Sequence, residues 1–148
     1  MPPGIFIVFL LSGITLYAIT DQVCLHFFKN LFLRQRPSHN AELRNVLHFY
    51  FDINSNEFYR GKEFASFVSS HAANYFALVS FLYFALDKKR DFWIFILLLI
   101  GLLVCYSRMY LGVHYPSDLI GGALVGIVLA YLFDRFVFKK ITKAMKTK

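Results

Sequence analysis

Four long apolar stretches divide the 148-residue chain, and polar or basic segments separate them. The stretches occupy residues 4–28, 70–86, 92–108 and 118–138. Each approaches the roughly 20 residues that a helix needs to cross a bilayer. Because hydrocarbon offers the backbone no hydrogen-bond partners, a segment that spans it must be helical. The pattern therefore predicts one domain, an all-α integral membrane bundle with about four transmembrane helices.

The polar segments between these stretches differ in length and charge. Residues 34–67 form a polar loop long enough to indicate a function of its own, whereas a short basic connection, Lys88 to Arg90, precedes the third stretch. A second basic group is the tail at 139–148. Since positive residues near span ends favour the cytoplasm, we expect both termini there. The protein would lie in the inner or plasma membrane, with the long loop on the extracytoplasmic face.

Composition agrees with a membrane location. Hydrophobic residues make up 57% of the chain and aromatic residues 19%, which is more apolar surface than a small soluble domain can bury. The net charge of +7 is confined to segments beside the apolar stretches and to the tail, where it suits anionic lipid. We therefore expect no nucleic-acid partner. Within the fourth stretch, Gly122 and Gly126 have the spacing of closely packed membrane helices.

Three groups of polar residues lie at the stretch ends that this topology places on the extracytoplasmic face. They are Lys29 with Arg36 and Pro37, then Ser69 with Ser70 and His71, then Ser107 with Arg108, His114 and Asp118. A single Lys or Arg near a span end usually anchors the helix at the interface, and a single serine is a common helix cap. Three such groups at one membrane depth are costly unless they bind something. We therefore expect one composite site.

The residue types in these groups suit a phosphate ester. Lys29, Arg36 and Arg108 would surround its negative oxygens with positive charge, and an arginine matches phosphate with two parallel hydrogen bonds. Ser69 and Ser70 stand where the second helix should begin, and free backbone amides and the helix dipole favour an anion there. We predict that these five residues bind the phosphate of a substrate.

Two histidines and one aspartate supply the expected chemistry. A neutral imidazole can attack phosphorus and form a phosphohistidine, and we assign this role to His114. Asp118, four residues later, would lie one helical turn away and hold the proton on the other ring nitrogen. His71, on another helix, would protonate the leaving oxygen and then activate water. Because no other group has the spacing of metal ligands, we predict neither a metal nor another cofactor.

The three groups resemble the signature of the type 2 phosphatidic acid phosphatase superfamily, which also includes the vanadium haloperoxidases. The family pattern is Lys-x6-Arg-Pro, then Pro-Ser-Gly-His, then Ser-Arg-x5-His-x3-Asp. The first and third parts are complete here, from Lys29 to Pro37 and from Ser107 to Asp118. The second part departs, because Val68 and Ser70 replace its Pro and Gly. Serine is small enough to keep a phosphate-facing backbone, so we expect activity to survive.

The resemblance covers residues 4–138 and implies a metal-independent phosphoric ester hydrolase of lipid metabolism that works through a phosphohistidine on His114. Membrane members of the family usually have six spans, so this chain is expected to lack the first two. A homo-oligomer, or helices supplied elsewhere, would then complete the structure. Candidate substrates are undecaprenyl pyrophosphate, phosphatidylglycerol phosphate, phosphatidate and the phosphates of lipid A. An outward-facing site favours polyprenyl pyrophosphate or lipid A.

Two alternatives belong to other functional classes. A vanadate-dependent haloperoxidase-like enzyme would share the motifs because vanadate mimics phosphate, but those enzymes are typically soluble and the four spans weigh against one. A non-catalytic membrane protein that binds lipid phosphate would need no nucleophile, yet His114, Asp118 and His71 are all present. A membrane lipid phosphatase is therefore the preferred hypothesis.

Overall fold

The computed structural model of the protein describes residues 2–43, 51–52, 57–58, 65–86 and 91–147. Its long helices are α1 (Pro3–Leu31), α2 (Ser70–Ala85), α3 (Asp91–Tyr110) and α4 (Pro116–Lys146). The shorter elements are 3-10 turns at Pro37–His39 and Ala41–Leu43, and two antiparallel strands, β1 (Phe51–Asp52) and β2 (Glu57–Phe58). Helices dominate the described chain, and the predicted all-α bundle is confirmed.

Two helices extend beyond the stretches that the apolar pattern marks. Both α1 and α4 begin with a proline in the first turn, a position where the missing N–H is not needed. Each contains a π-helical turn, at Val23–Phe28 in α1 and at Asp134–Phe138 in α4. The predicted basic tail at 139–148 is helical as far as Lys146, since its Lys, Ala and Met residues favour helix.

Three of the helices, α1, α3 and α4, are long and apolar enough to cross a membrane, judged by length and composition. Helix α2 has 16 residues and is about 24 Å long at 1.5 Å per residue, somewhat less than the hydrocarbon core of a typical bilayer. The span expected at residues 70–86 coincides with α2, and its crossing of the membrane stays a prediction.

Helix α2 lies at the centre of the bundle and packs against α1, α3 and α4. Its contact with α4 is the closest, because small residues meet there. A Cβ atom on Gly122 would lie 2.5 Å from the carbonyl oxygen of Ser69, and one on Gly126 would overlap the carbonyl oxygen of Ala73. The predicted close packing at the two glycines is thus confirmed, and it fixes the beginning of α2 against α4.

The apolar surface of the bundle is divided between a small core and a large outer face. Leu16, Phe81 and Phe133 are among the buried core residues, and the rings of Phe9 and Phe81 stack with their centroids 5.4 Å apart. By contrast, Gly101 is the one buried residue of α3 in the described range 91–110. Many large apolar side chains of α3, among them Phe92, Trp93 and Leu103, are exposed, which is stable against lipid and not against water.

The two ends of the bundle carry different residues. The beginning of α1 meets the ends of α2 and α4, where Pro2, Phe84 and Lys146 line one cavity. The opposite end collects the end of α1, the beginning of α2, the end of α3 and the beginning of α4. All three polar groups lie at this second end, as predicted. The basic connection at 88–90 and half of the loop at 34–67 fall outside the described residues.

Candidate active site

Backbone hydrogen bonds join the polar groups to one another. The amide of Ser69 donates to the carbonyl oxygen of Asp118 over 3.0 Å, and the amide of Ser38 donates to that of Gly112 over 2.9 Å. Gly112 has a φ of 63°, a left-handed conformation that glycine adopts without strain. This turn directs the chain from the end of α3 towards the beginning of α4. The first, second and third polar groups therefore share one framework.

The polar loop is anchored at both of its ends. The amide of Ser66 donates to the carbonyl oxygen of Arg34 over 2.8 Å, and Gln35 forms an antiparallel bridge with Ala65. The segment that follows α1 therefore lies beside the segment that precedes α2. This pairing places the side chains of Arg34 and Ser66 at the beginning of α4.

His114 lies in the connection that precedes α4 and is only 4% exposed. Its Nδ1 atom is 3.7 Å from Oδ2 of Asp118, so the predicted pairing of ring and carboxylate is present. The predicted helical turn between them is wrong, because α4 begins at Pro116 and Tyr115 is extended, with φ −76° and ψ 156°. Proline disfavours the helical conformation in the residue before it, which keeps His114 outside the helix.

The surroundings of His114 favour its neutral form. Burial lowers the pKa of the imidazole below its ordinary value, and the positive charges of Arg36 and Lys29 act in the same direction, while Asp118 opposes them. A neutral ring is the form that a nucleophile requires. Nδ1 of the ring lies on the side of Asp118 and has no hydrogen-bond partner among the described residues.

Asp118 is fully buried and receives several hydrogen bonds. Its Oδ2 atom accepts one from the hydroxyl of Ser66 and one of 2.8 Å from the amide of Tyr115, and its Oδ1 atom accepts one of 2.9 Å from Nη1 of Arg34. The bond to Tyr115 belongs to a capping box at the beginning of α4. A cation and these donors compensate the burial of the carboxylate, which is thereby held in place facing His114.

Sequence reasoning missed two of these residues, Arg34 and Ser66. Besides Asp118, Arg34 bonds through Nη1 to Oγ of Ser117 at 2.6 Å, and its guanidinium carbon lies 4.0 Å from the ring centroid of Tyr115. The only sequence signal for Arg34 is its place two residues before Arg36 in the first polar group. Ser66 gives no signal, because its partner lies 52 positions away.

The three predicted cations lie near the two histidines. Arg36 is 6% exposed, Lys29 belongs to the last turn of α1, and the buried Nε of Arg108 has no hydrogen-bond partner in the described part of the chain. The charges of all three act on His71, and those of Lys29 and Arg36 act also on His114. The structure therefore brings these five predicted residues into one electrostatic environment.

Ser69 and Ser70 mark the beginning of α2, as predicted. Ser69 is the residue before the helix and Ser70 its first residue. Ser69 is fully buried, and within the described residues its hydroxyl has no hydrogen-bond partner. Its amide is already bonded to Asp118, so the hydroxyl of Ser69 and the next amides of α2 are the donors that remain for an anion.

His71 is the second residue of α2 and is exposed. Its side chain lines a cavity that Asp21 and Asn74 also line. The more buried ring of His114 lies on the other side, towards α4. The two imidazoles thus differ in exposure, with the accessible one on the open side of the site. Among the residues that the structure describes, no group of three or more His, Cys, Asp and Glu side chains could hold a metal ion.

Apolar helices with two histidines and three cations gathered at one end define an integral membrane protein with a candidate anion-binding site. The chain belongs to the PAP2 superfamily, which it matches over residues 7–142. No solved structure matches the chain.

Several curated proteins are similar in sequence. The chain is 39% identical to the lipid A 4'-phosphatase of Bacteroides thetaiotaomicron over 127 residues, covering 86% of this chain and 52% of that protein. It is 33% identical to the lipid A 4'-phosphatase of Porphyromonas gingivalis over 121 residues, covering 82% and 46%. It is also 36% identical to the undecaprenyl-diphosphatase BcrC of Bacillus subtilis over 72 residues, covering 49% and 35%. The chain thus spans about half the length of the two lipid A phosphatases.

Proposed function

We propose that the chain is a metal-independent lipid phosphatase, which hydrolyses a phosphate monoester or diphosphate through a phosphohistidine on His114. The observation that carries this proposal is the buried imidazole of His114, which faces Asp118 and lies within the electrostatic reach of Lys29 and Arg36. The names of the relatives agree, since they include two lipid A 4'-phosphatases and an undecaprenyl-diphosphatase.

The first step transfers the phosphoryl group to the enzyme. Lys29, Arg36 and Arg108 neutralise the phosphate oxygens, and the Ser69 hydroxyl and the amides that begin α2 donate to them. Nε2 of His114 attacks phosphorus, so that a P–N bond forms and the P–O bond to the lipid breaks. The departing oxygen takes the proton of His71 and leaves as a neutral hydroxyl when the substrate is a monoester.

The second step returns the enzyme to its starting state. His71, now neutral, accepts a proton from a water molecule as its oxygen attacks phosphorus. A P–O bond forms, the P–N bond breaks, and inorganic phosphate leaves. His114 recovers its neutral ring, and Asp118, facing Nδ1, keeps the proton on that nitrogen throughout.

Phosphate release from a lipid panel tests this proposal. The purified protein in detergent is given lipid A, undecaprenyl diphosphate, phosphatidate and phosphatidylglycerol phosphate, each with EDTA present. We expect release from at least one lipid, inhibition by vanadate, and no activity in His114→Ala. The control is His26→Ala, which removes an exposed histidine of α1. Loss of activity with EDTA and its recovery with magnesium would show the mechanism to be wrong. Bromide oxidation with bound vanadate, without lipid hydrolysis, would favour the haloperoxidase alternative.

We propose further that the site faces the extracytoplasmic side and that both termini are cytoplasmic. The support is the basic end of α4, Lys139–Lys146, which lies at the opposite end of the bundle from His114. In a variant without Cys24 and Cys105, a cysteine at Glu42 should react with an impermeant thiol reagent in intact cells. A cysteine at Lys143 should react only after permeabilisation. The reverse pattern would place the site in the cytoplasm.

A further inference from the structure

His71 lines a cavity whose surface is mainly apolar and includes several polar groups. It lies between α1, α2 and α3, and its walls include Tyr17, Asp21, Asn74 and Tyr75. Among the described residues that line it, none is a lysine or an arginine. The charges of the three cations act on His71, and its side chain also lines this cavity. Asp21 and Asn74 are among the polar residues of the lining.

Asp21 and Asn74 present hydrogen-bond acceptors. Nδ2 of Asn74 donates to Oδ1 of Asp21 over 3.1 Å, and because a carboxylate only accepts, this bond sets the orientation of the amide. Asn74 is 7% exposed, and its buried Oδ1 atom has no partner within the described chain. A buried acceptor without a donor is destabilising, and an aspartate within an apolar membrane helix is costly unless it has a function. The pair is therefore prepared for a ligand that donates hydrogen bonds.

The position of His71 shows which part of a substrate meets this pair. In the proposed reaction His71 protonates the leaving oxygen, so the leaving group lies on the side of His71 and Asp21. A sugar bears hydroxyl and amide N–H groups that can donate to the oxygens of Asp21 and Asn74. The leaving group of a lipid diphosphate is a lipid monophosphate, whose negative charge the carboxylate of Asp21 repels.

The cavity continues into a groove suited to hydrocarbon. Tyr17 and Leu78 line both this cavity and an apolar groove between α1 and α2, whose walls also include Phe9 and Gly13. From residue 21 to residue 9, α1 extends about 18 Å at 1.5 Å per residue. The phosphate site, the pair formed by Asp21 and Asn74, and the apolar groove therefore follow one another. This is the order of the phosphate, the sugar and the hydrocarbon chains in a phosphorylated glycolipid.

We propose that Asp21 and Asn74 determine substrate class. They select a phosphate monoester on a hydrogen-bond-donating sugar headgroup and disfavour a lipid diphosphate. This inference rests on the proposed lipid phosphatase activity. It assigns Asp21 and Asn74 to specificity and leaves the catalytic steps with His114 and His71.

A charge-removing substitution tests the assignment. Asp21→Asn keeps the size of the side chain and an oxygen for the amide of Asn74. We expect kcat/KM for lipid A that carries its 4'-phosphate to fall about tenfold or more, the loss typical of a hydrogen bond to a charged group. The value for undecaprenyl diphosphate should stay unchanged or rise. The control is Thr15→Val on the exposed face of α1, where the threonine hydroxyl bonds only to its own helix.

Asn74→Ala provides a second variant that removes an acceptor and leaves Asp21 in place. It should show the same selective loss on the sugar-linked phosphate. Three results would overturn the assignment: equal losses on both lipids, no loss on either lipid, or a wild-type preference for the diphosphate. The bond between Asn74 and Asp21 would then be an ordinary contact between helices. Wild-type protein that releases phosphate from no lipid would overturn the proposed function instead, which keeps the two failures distinct.

Discussion

Nη1 of Arg34 donates to Oδ1 of Asp118 over 2.9 Å, joining residues that are 84 positions apart in the sequence. The carboxylate of Asp118 faces His114 through its other oxygen. A residue of the polar loop thus holds the group that orients the proposed nucleophile. The loop therefore contributes to the arrangement of the site, and not only to the covering of the bundle.

Replacing Arg34 by Gln should lower kcat more than it changes KM, since the described contacts of Arg34 are to Asp118, Ser117 and Tyr115. Because the Arg34 side chain is 42% exposed, solvent screens the pair and the expected loss is moderate, about tenfold. Steady-state kinetics on a hydrolysed lipid measure both constants. Arg135→Gln is the matched control, because it removes an exposed arginine at the far end of α4. A rise in KM without a fall in kcat would show that Arg34 binds the substrate directly.

The acid limb of the pH dependence of activity should follow His114, whose ring must be neutral to attack. Its lowered pKa means that the ring stays neutral to a pH below the ordinary histidine value of roughly 6.5, so kcat/KM should begin to fall only below that value. Asp118 raises this pKa, and Asp118→Asn removes that effect while burial, Arg36 and Lys29 continue to lower it. The acid limb of the variant should therefore move to lower pH, with a lower maximal rate. Using one substrate for both proteins cancels the titration of the phosphate itself. A shift to higher pH would contradict the assignment.

The role of His71 should depend on the leaving group. With a lipid alkoxide, His71→Ala should lose on the order of 10²–10⁴-fold in rate, the usual contribution of one general acid. With p-nitrophenyl phosphate the first step should be partly spared, since its phenolate leaves with little need of a proton. Comparison of the two substrates in stopped-flow and steady-state assays measures the difference. Equal losses on both substrates would argue against His71 as the acid.

The packing of α4 on α2 should make Gly126 intolerant of a side chain. A Cβ atom there would overlap the backbone of Ala73, and overpacking of this kind typically destabilises by about 1–3 kcal/mol. Gly126→Ala should therefore lower the thermal unfolding temperature in detergent. Gly13→Ala is the control, because a Cβ on Gly13 has nothing within 4 Å. Equal unfolding temperatures of the two variants would show that α2 and α4 can separate without cost.

The helices, and the end of the bundle at which the three polar groups gather, could be inferred from the sequence because their signals are local. Apolar runs close to the length of a membrane span predict helices in lipid, and glycines four positions apart predict close helix contact. The wrong prediction of a helical turn at His114 also concerns a local signal. The four-residue spacing of His114 and Asp118 favours a helical turn, whereas Pro116 indicates that the helix begins after Tyr115. Proline at the first helical position decides the geometry there.

The contacts of Asp118 and Asp21 could not be inferred in the same way. Arg34 and Ser66 reach Asp118 only because the polar loop turns back and bridges at Gln35. Likewise, Asn74 meets Asp21 across two helices, and no periodicity within either helix indicates the pairing. Such contacts depend on how the helices and the loop pack together. The spacing of residues within one segment does not indicate this packing.

The most direct measurement of the central claim is the position of the covalent phosphate. The wild type, His71→Ala and His114→Ala proteins are mixed with p-nitrophenyl phosphate labelled in the phosphate, whose phenolate leaves with little need of a proton. They are quenched at alkaline pH, because the P–N bond of phosphohistidine is labile in acid. Peptide mapping then locates the label, and unfolding temperatures verify that each variant is folded. Label should appear on His114 in the wild type, accumulate there in His71→Ala where water attack is slowed, and be absent from folded His114→Ala. Label on position 71 of the His114→Ala protein would contradict the assignment of His114 as the nucleophile.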